Sequence, residues 1–333
     1  MSGNNKDQEK KELETALNNL KIIDSVKKAE NRLNEHIGFE QEKETFLDHI
    51  RVYKMTNGNF WPVEKVICYF SAPGMGKTTF VHALAEAMGR KYETISLSGF
   101  QETDEYSILG DESKPSLVAW AIKKNGCKNP VILLDELEKA EDPKVQQELL
   151  ELFKKYQSKE KFTDKYFQKE IELKHITFFA TINWIDDLNR ELKEEIEVTE
   201  LVDFTRDEKK AILRLKADGV QKSYQELIIS DQNIEEILNY VKEIGIRQSE
   251  RVLYKIEEEY IYYKNKNKKP DFMKNFQIWI KNNVFPYQEE FQITLKHYLL
   301  FSLLGINFVF LASLIFRKFI LKGDNNKVLY EEK

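Results

Sequence analysis

The stretch that decides the fold of this chain joins an apolar run to a run with helical character. It reads Phe70-Ser71-Ala72-Pro73-Gly74-Met75-Gly76-Lys77-Thr78-Thr79. The apolar residues 66–70 predict a buried strand, and residues 80–88 predict a helix that Gly89 closes. A strand, a loop of small residues and a helix with Lys-Thr at its start form a phosphate cradle, because backbone N–H groups and the helix N-terminus face the ligand with positive partial charge.

Lys77 and Thr78 supply the side-chain chemistry expected of this loop. We expect Lys77 to reach the β- and γ-phosphates of a nucleotide and the Thr78 hydroxyl to bind Mg²⁺. The loop follows the pattern G-x-x-x-x-G-K-[ST] except at its first position, where Ser71 replaces glycine. That glycine serves the tight turn, so the replacement affects loop geometry but removes neither a phosphate donor nor a metal ligand. The alternative is a chance Gly-Lys-Thr in a loop, and the flanking strand and helix argue against it.

A second apolar run, residues 131–134, ends in two adjacent acids, Asp135 and Glu136. It suits a central strand of a parallel sheet, whose carboxyl end is where ligands bind. We expect Asp135 to bind Mg²⁺ through water and Glu136 to position and polarise the attacking water. Two acids at a strand end are also compatible with a solvated surface, but their order behind the phosphate loop favours a nucleotide site. Another buried strand, residues 176–183, ends in Asn183.

The composition is typical of a soluble globular body large enough for two domains. Of its 333 residues, 41% are hydrophobic and 32% are charged. The net charge of −5 gives no reason to expect nucleic acid binding. The two cysteines, Cys68 and Cys127, lie beside apolar segments and are predicted to be reduced core residues, as in a reducing compartment. The polar start of the chain predicts no secretory signal peptide.

The alternation of strands and helices predicts a doubly wound α/β domain. A strand is expected at 92–97, and helices at 118–124 and 143–156, with a single amphipathic helix from about 10 to 33 before the domain begins. From about residue 205, helical periodicity replaces the strand signals, which predicts a small all-helical second domain.

Residues 298–316 are uncharged and mostly apolar. These 19 residues span roughly 29 Å as a helix, close to the hydrocarbon thickness of about 30 Å. With Tyr298 and the Arg317-Lys318 pair as interface anchors, they predict a transmembrane helix over 298–320; a buried core helix is the alternative. The basic residues after this run favour a cytoplasmic tail, whereas a nucleotide-binding body without a signal peptide favours a cytoplasmic body. We expect the second arrangement, with the body on the ATP-containing side.

Taken in order, these motifs resemble the ATPase module of the Lon protease family, within the AAA+ superfamily. The resemblance covers about residues 30 to 260. It is carried by Asn34-Glu35-His36-Ile37-Gly38, Ser71–Thr79 as the Walker A loop, Ser96-Leu97-Ser98-Gly99, residues 128–139 with the Walker B acids, Ala180-Thr181-Ile182-Asn183, and Gly245-Ile246-Arg247-Gln248-Ser249-Glu250-Arg251.

The resemblance implies further roles and a domain plan. His36, Ile37 and Gly38 would line the adenine pocket, Asn183 would be a first sensor of the γ-phosphate, and Arg247 a second sensor from a helical lid, unless it is a surface helix arginine. ATP, Mg²⁺ and a homo-oligomeric ring, typically a hexamer, are implied. The expected parts are an N-terminal helical segment (1–33), an AAA+ α/β nucleotide-binding domain (34–204), a helical lid (205–263), a basic linker (264–297), a transmembrane helix (298–320) and a short tail (321–333).

The sequence also departs from the family pattern. The apolar run follows the lid where the family has its peptidase domain, so the chain is not expected to be a protease by itself. The pore loops near 108–111 and after Lys139 are shortened. The arginine-finger position, counted from Asn183, is Glu195, and a carboxylate there would repel the charge that develops on the γ-phosphate. Arg190 is the nearby alternative.

Two functions therefore remain open. One is a membrane-anchored, Lon-like ATPase that binds and hydrolyses ATP with Mg²⁺ to remodel or hold proteins near the membrane. The other is an ATP-binding scaffold or regulatory subunit with little hydrolysis, which Glu195 and the reduced pore loops favour. A mixed ring with a complete Lon-type protease is a third, weaker hypothesis. The sequence identifies no client protein.

Overall fold

The structure is a computed structural model and describes residues 2–100, 105–266 and 276–284. The chain divides into two compact units, Met1–Glu257 and Glu258–Lys333. The first unit contains the sheet and the candidate site, and the second is described only over 258–266 and 276–284.

The described residues form strands in two sheets. The strands are β1 (Val66–Phe70), β2 (Tyr92–Ser96), β3 (Val131–Asp135), β4 (Lys161–Asp164), β5 (Lys169–Glu172), β6 (Thr177–Ile182) and β7 (Ile196–Glu200). Five of them form a parallel sheet in the order β2-β3-β6-β1-β7, and β4 and β5 form an antiparallel hairpin. The prediction of an α/β fold with a parallel sheet is confirmed.

Helices make up most of the remaining described residues. They are α1 (Ser2–Leu17), α2 (Val26–Asn34), α3 (Glu40–Met55), α4 (Lys77–Ala87), α5 (Leu117–Asn125), α6 (Pro143–Gln157), α7 (Arg190–Glu194), α8 (Arg206–Ser223), α9 (Asp231–Tyr240), α10 (Arg247–Asn265) and α11 (Phe276–Val284). After residue 205, the described part of the first unit contains α8, α9 and the start of α10 and no strand.

The central strands explain why the site lies where it does. Strands β1, β3 and β6 are buried almost throughout, which suits their continuous apolar sequences. In register, Cys68 of β1 faces Ala180 of β6, and Leu134 of β3 faces the same residue from the other side. The carboxyl ends of these three strands are therefore neighbours at one edge of the sheet.

Helix boundaries follow local capping chemistry. The Ser116 side chain accepts from the Ala119 N–H at the start of α5, and Asp142 caps α6 with a proline directly behind it. Thr205 and Glu208 form a reciprocal capping box that starts α8. The Thr205 cap stands where the chain leaves the strand–helix pattern and enters the helices that follow β7.

The single helix expected from about residue 10 to 33 is wrong, because the chain forms α1 and α2 with a break between them. Residues in the break bind the segment that leads into β3. The Asn19 side chain donates to the Gly126 carbonyl at 2.6 Å, and the Lys21 N–H donates to Asn129 Oδ1 at 2.9 Å. Asn129 is fully buried, and these bonds give the backbone and side-chain polar groups of the break partners that a continuous helix would have supplied within itself.

The sequence analysis did not predict the β4–β5 hairpin, strand β7, helix α7 or helix α11, the last of which lies in the expected linker. Strand β7 pairs with β1 at the edge of the sheet, with Val198 opposite Cys68. Its sequence, Ile-Glu-Val-Thr-Glu, is mostly solvent-exposed and continues a charged run, so it lacks the apolar signal of the central strands. The hairpin sequences are equally charged.

Both cysteines, Cys68 and Cys127, are buried and free, which confirms the prediction that they are reduced core residues. Among the described residues, no helix combines the length and the apolar character needed to cross a bilayer. The predicted span at 298–320 and the tail lie outside the described residues. In the second unit, Phe276 and Trp279 stack at 5.6 Å, and Trp279 Nε1 donates to Glu259 Oε2 at 2.5 Å.

Candidate nucleotide site

A cleft of about 400 Å³ lies at the carboxyl edge of the sheet, within the first unit. This volume falls in the range of small-molecule sites. The cleft is lined by Glu35, His36, Ile37, Gly74, Met75, Gly76, Lys77, Thr78, Thr79, Asp135, Glu136, Thr181, Asn183, Phe204, Ile212, Leu215, Lys216, Ile246, Arg247 and Glu250. The structure thus brings most of the predicted site residues together around one cavity.

The loop between β1 and α4 depends on two glycines. Gly74 and Gly76 have φ of 89° and 75°, a region that glycine adopts without strain. Ser71 has no positive φ, and its N–H donates to the Ile182 carbonyl at 3.4 Å. Serine at the first position therefore imposes no left-handed strain on the turn. Ser71, Ala72 and Pro73 do not line the cleft, and their part of the loop lies behind it.

Lys77 is buried at the start of α4 and points back along the loop. Its Nζ donates to the Ser71 carbonyl at 2.7 Å, to the Ala72 carbonyl at 3.2 Å and to Asn183 Oδ1 at 2.8 Å. Burial lowers the pKa of Lys77 to about 8, while the nearby carboxylate of Glu138 opposes that shift. The ammonium group is thus held by neutral oxygens that an anionic ligand can replace.

Thr78 and Asp135 meet directly at the edge of the sheet. The Thr78 hydroxyl donates to Asp135 Oδ1 at 3.0 Å, and the Thr181 hydroxyl donates to the same oxygen at 2.5 Å. Hydroxyl and carboxylate oxygens are the donors that Mg²⁺ prefers. The paired oxygens of Thr78 and Asp135, beside a helix N-terminus, fit a magnesium ion bound together with phosphates. Thr181 was not assigned a role from the sequence.

Glu136 has a backbone conformation that is rare for a residue with a side chain. Its φ is 59°, and its N–H donates to the Thr181 hydroxyl at 3.0 Å. Its carboxylate lies 2.9 Å from Lys139 Nζ, and this hydrogen bond raises the pKa of Lys139. Residues in sparsely populated backbone regions cluster at functional sites, so this conformation supports a functional role for Glu136.

Asn183 follows β6 and links two charged groups. Its Oδ1 accepts from Lys77, and both its backbone N–H and its Nδ2 donate to Glu138 Oε1, at 2.9 and 2.8 Å. Glu138 was missed by sequence reasoning. The available signal was its place two residues after Glu136, in the turn that follows the strand.

The segment around residue 36 forms one wall of the cleft. Burial lowers the pKa of His36 to about 4, so the imidazole is neutral near pH 7. Its Nδ1 is buried without a hydrogen-bond partner among the described residues. His36 and Ile37 line the cleft, whereas Gly38 does not; a Cβ on Gly38 would lie 2.7 Å from a ring carbon of Phe204. Phe204, which the sequence analysis did not single out, packs against this segment and itself lines the cleft.

The helical region supplies the opposite wall. Arg247 begins α10, lines the cleft and is exposed, and Ile246 donates its N–H to the Gly74 carbonyl at 3.2 Å. Gly245 has φ of 80°, and a Cβ there would lie 2.7 Å from the Gly74 oxygen. The backbone of this region therefore contacts the phosphate loop directly, and only glycine permits that approach.

Glu195 and Arg190 do not line the cleft. Glu195 caps the C-terminal end of α7, and the Arg190 side chain is 92% exposed, with its Nε 3.6 Å from Glu194. Within one chain, neither residue contributes to the cleft.

Comparisons with known proteins define the class of this chain. Residues 67–204 match the ATPase family associated with various cellular activities (AAA). The Lon protease of Lawsonia intracellularis is 34% identical over 266 residues, which cover 74% of this chain and 31% of that protein. The Lon protease of Malacoplasma penetrans is 27% identical over 291 residues (80% and 36%), and Lon protease 1 of Bacillus subtilis is 32% identical over 237 residues (66% and 29%).

This part of the chain is therefore an AAA ATPase domain. More particularly, the chain carries an AAA+ ATPase module of the Lon type, which confirms the resemblance inferred from its motifs. The chain spans about a third of the length of these relatives.

Proposed function

We propose that the chain binds ATP with Mg²⁺ in the cleft and hydrolyses it. The observation that carries this proposal is the convergence of Lys77, Thr78, Asp135, Glu136 and Asn183 on one cavity, although they come from three separate segments of the chain. An AAA ATPase domain supports the same activity.

Each of these side chains has a role that its surroundings support. The helix N-terminus and loop N–H groups bind phosphate oxygens, and Lys77 exchanges the Ser71 and Ala72 carbonyls for the γ-phosphate. Thr78 and Asp135 would hold Mg²⁺, which would neutralise charge on the phosphates. Glu136 orients the attacking water after leaving Lys139, and Asn183 contacts that water or the γ-phosphate.

The adenine base and the lid complete the proposed ATP site. A neutral His36 with Ile37 and Phe204 offers an apolar wall suited to a flat base. Arg247 faces the cleft from the lid and supplies positive charge to the phosphates. The sequence-based domain plan, with the lid at 205–263, stays a proposal.

At the level of the assembly, we expect a ring in which a neighbouring subunit completes the site. The exposed Arg190 does not line the cleft of its own chain, which leaves its guanidinium group accessible to a neighbouring subunit. Because residues 298–316 are an apolar run, we further propose that the chain is anchored in a membrane with the ATPase body on the cytoplasmic side. There it would remodel or hold proteins, without protease activity of its own.

A second candidate function is an ATP-binding scaffold or regulatory subunit with little hydrolysis. It is favoured by a carboxylate at position 195 and by the ion pair that occupies Glu136. Glu195→Arg discriminates between the two: a large gain in turnover indicates an ATPase limited by its missing finger. Unchanged turnover indicates that an arginine at position 195 is irrelevant to turnover or that the finger comes from elsewhere.

The experiment that tests ATP hydrolysis measures phosphate release by the full chain in a mild detergent. We expect turnover that depends on Mg²⁺, and we expect Glu136→Gln to abolish turnover while ATP binding persists. Glu141→Gln, an exposed acid on the following segment, is the matched control and should behave as the parent does. A parent that binds ATP without turnover supports the scaffold, and a parent that binds no ATP overturns both candidates.

Membrane anchoring has a separate test. The full chain should resist carbonate extraction from membranes. The double substitution Leu304→Arg with Val309→Arg should release it, because each arginine costs about 2.5–3.5 kcal/mol at the centre of a span. Release of the parent chain by carbonate alone contradicts the anchor.

A further inference from the structure

Glu138 is a partly buried acid that the roles proposed above leave unused. Its Oε1 accepts two hydrogen bonds from Asn183, one from the backbone N–H at 2.9 Å and one from Nδ2 at 2.8 Å. Its Oε2 is buried without a hydrogen-bond partner among the described residues. A buried carboxylate oxygen without a donor costs free energy. The acid therefore serves something besides the stability of the fold.

The two ends of the Asn183 amide face groups of opposite charge. Oδ1 accepts from the ammonium of Lys77 at 2.8 Å, while Nδ2 donates to Glu138. The reversed amide would set its oxygen against the carboxylate and its NH₂ group against the ammonium. Both contacts would then be repulsive, so the charges on either side determine the orientation of the amide.

This orientation bears on the γ-phosphate. The Nδ2 group carries two hydrogens, and Glu138 accepts one of them. The second remains for a ligand in the cleft, which Asn183 lines. Once a nucleotide draws Lys77 to its phosphates, the contact from Glu138 continues to fix the amide through both the backbone and the side chain of Asn183.

We propose that Glu138 is a positioning residue, which holds the Asn183 amide so that its free N–H addresses the γ-phosphate and thereby distinguishes ATP from ADP. This inference rests on the proposed function of the cleft. ADP lacks the γ-phosphate, so its binding does not depend on the contact between Glu138 and Asn183.

A double-mutant cycle in the full chain tests whether Glu138 acts through Asn183. The variants are Glu138→Ala, Asn183→Ala and the two combined. We expect each single change to lower kcat at least about tenfold, in line with the loss of one donor to transition-state charge. ADP affinity should stay within about threefold of the parent. The double variant should match Asn183→Ala within about twofold, because the second change removes nothing further.

Several controls separate positioning from a general loss of structure. Glu138→Gln keeps an acceptor oxygen and should recover part of the lost kcat, whereas Glu141→Ala should change nothing. If thermal unfolding shows that Glu138→Ala does not fold, the cycle is run with Glu138→Met, which removes the acceptor without leaving a cavity. Multiplicative effects of the two single changes, or equal losses of ATP and ADP affinity, overturn the inference.

The ratio of ATP to ADP affinity, measured by calorimetry with both nucleotides, is a second readout that needs no turnover. If the parent binds ATP without hydrolysing it, the hydrolysis proposal fails, and this ratio still tests Glu138. We expect the ratio to fall in both single variants and to fall no further in the double variant. A ratio unchanged in Glu138→Ala overturns the inference alone, and a parent that binds neither nucleotide overturns it together with the proposed function.

Discussion

The two edges of the sheet each contain a buried cation, and the two are held in different ways. At the carboxyl edge, Lys77 is bound by two loop carbonyls and the Asn183 side chain, in front of an open cleft. At the amino edge, Arg90 lies over the rings of Tyr53 and Trp61, at 4.4 and 5.4 Å.

The groups that contact Lys77 can be replaced by a ligand, whereas those that contact Arg90 cannot. Arg90 donates to the Thr177 hydroxyl at 2.8 Å, while its Nε and Nη2 have no hydrogen-bond partner among the described residues. Burial lowers the pKa of both cations. Lys77 can exchange its partners for a ligand, whereas aromatic rings enclose Arg90. The comparison suggests that one buried charge serves binding and the other serves packing.

Lys77→Ala is expected to have the largest effect on function and a small effect on stability. Turnover should fall by roughly 10²–10³-fold, as when one donor to transition-state charge is removed. The free energy of unfolding should change by less than about 1 kcal/mol, because water from the cleft can satisfy the carbonyls that Lys77 leaves. Phosphate release and urea unfolding measure the two quantities. A large loss of stability would remove the distinction between the two cations.

Arg90→Ala is expected to show the opposite pattern. It should lower the free energy of unfolding by about 2–4 kcal/mol, through the lost contacts with the rings and the cavity that remains. Arg90→Met should cost less than about 1 kcal/mol, because an apolar side chain of similar length fills the space and needs no counter-ion. Urea unfolding of both variants, with the exposed Lys91→Ala as control, measures the difference. Equal losses in both variants would show that the charge itself stabilises the fold.

Each edge also contains a histidine with a depressed pKa. Burial lowers the pKa of His36, at the cleft, and of His175, just before β6, to about 4. Around His36, Lys43 lowers the pKa further and Glu40 opposes it. Around His175, Lys128 and Lys174 lower it further and Glu172 opposes them.

These shifts predict a loss of stability in acid. Because the folded pKa lies below the ordinary 6.5, the unfolded chain binds the proton first as the pH falls. The free energy of unfolding should therefore decrease from about pH 6.5 to about pH 4, by up to about 1.4 kcal/mol per pH unit for each histidine. His36→Gln and His175→Gln should each reduce this slope in urea unfolding between pH 4.5 and 7.5. An unchanged slope in either variant contradicts the assigned burial of that histidine.

The smallest effect is expected for Ser71→Gly, which restores the usual first residue of the phosphate loop. Turnover should stay within about twofold, because Ser71 has no positive φ for glycine to relieve. The free energy of unfolding should fall by about 0.4–1 kcal/mol, since glycine increases the conformational entropy of the unfolded chain. A clear gain in turnover would show that serine distorts the cradle.

Local sequence signals were sufficient to predict the strands that are buried along their whole length and the site residues that belong to short motifs. The central strands β1, β3 and β6 have mostly apolar sequences, and Lys77, Asp135 and Asn183, each predicted from the sequence as a nucleotide-site residue, line one cleft in the structure. The edge strand β7 was missed because its residues are charged and exposed, and its pairing with β1 depends on sequence-distant contacts.

The rest of the site could not be derived from the sequence because it depends on tertiary contacts. The proposed role of Glu138 depends on its hydrogen bond with Asn183, which is 45 residues away in the sequence. The Phe204 ring packs against Gly38 and Phe39, in the segment that contains His36, and these residues are far apart in the sequence. The break between α1 and α2 likewise depends on bonds to residues 126 and 129, which no local helical pattern reveals.

The contact between the loop and the start of α10 joins main chain to main chain, through the Ile246 N–H and the Gly74 carbonyl. A hydrogen bond between two backbone groups does not depend on which side chains surround it. Substitutions of those side chains can therefore change the affinity for the ligand while the backbone contact is kept. The contact is sensitive to substitution at Gly74 and Gly245, where an added Cβ would clash with the opposite segment and push the two backbones apart.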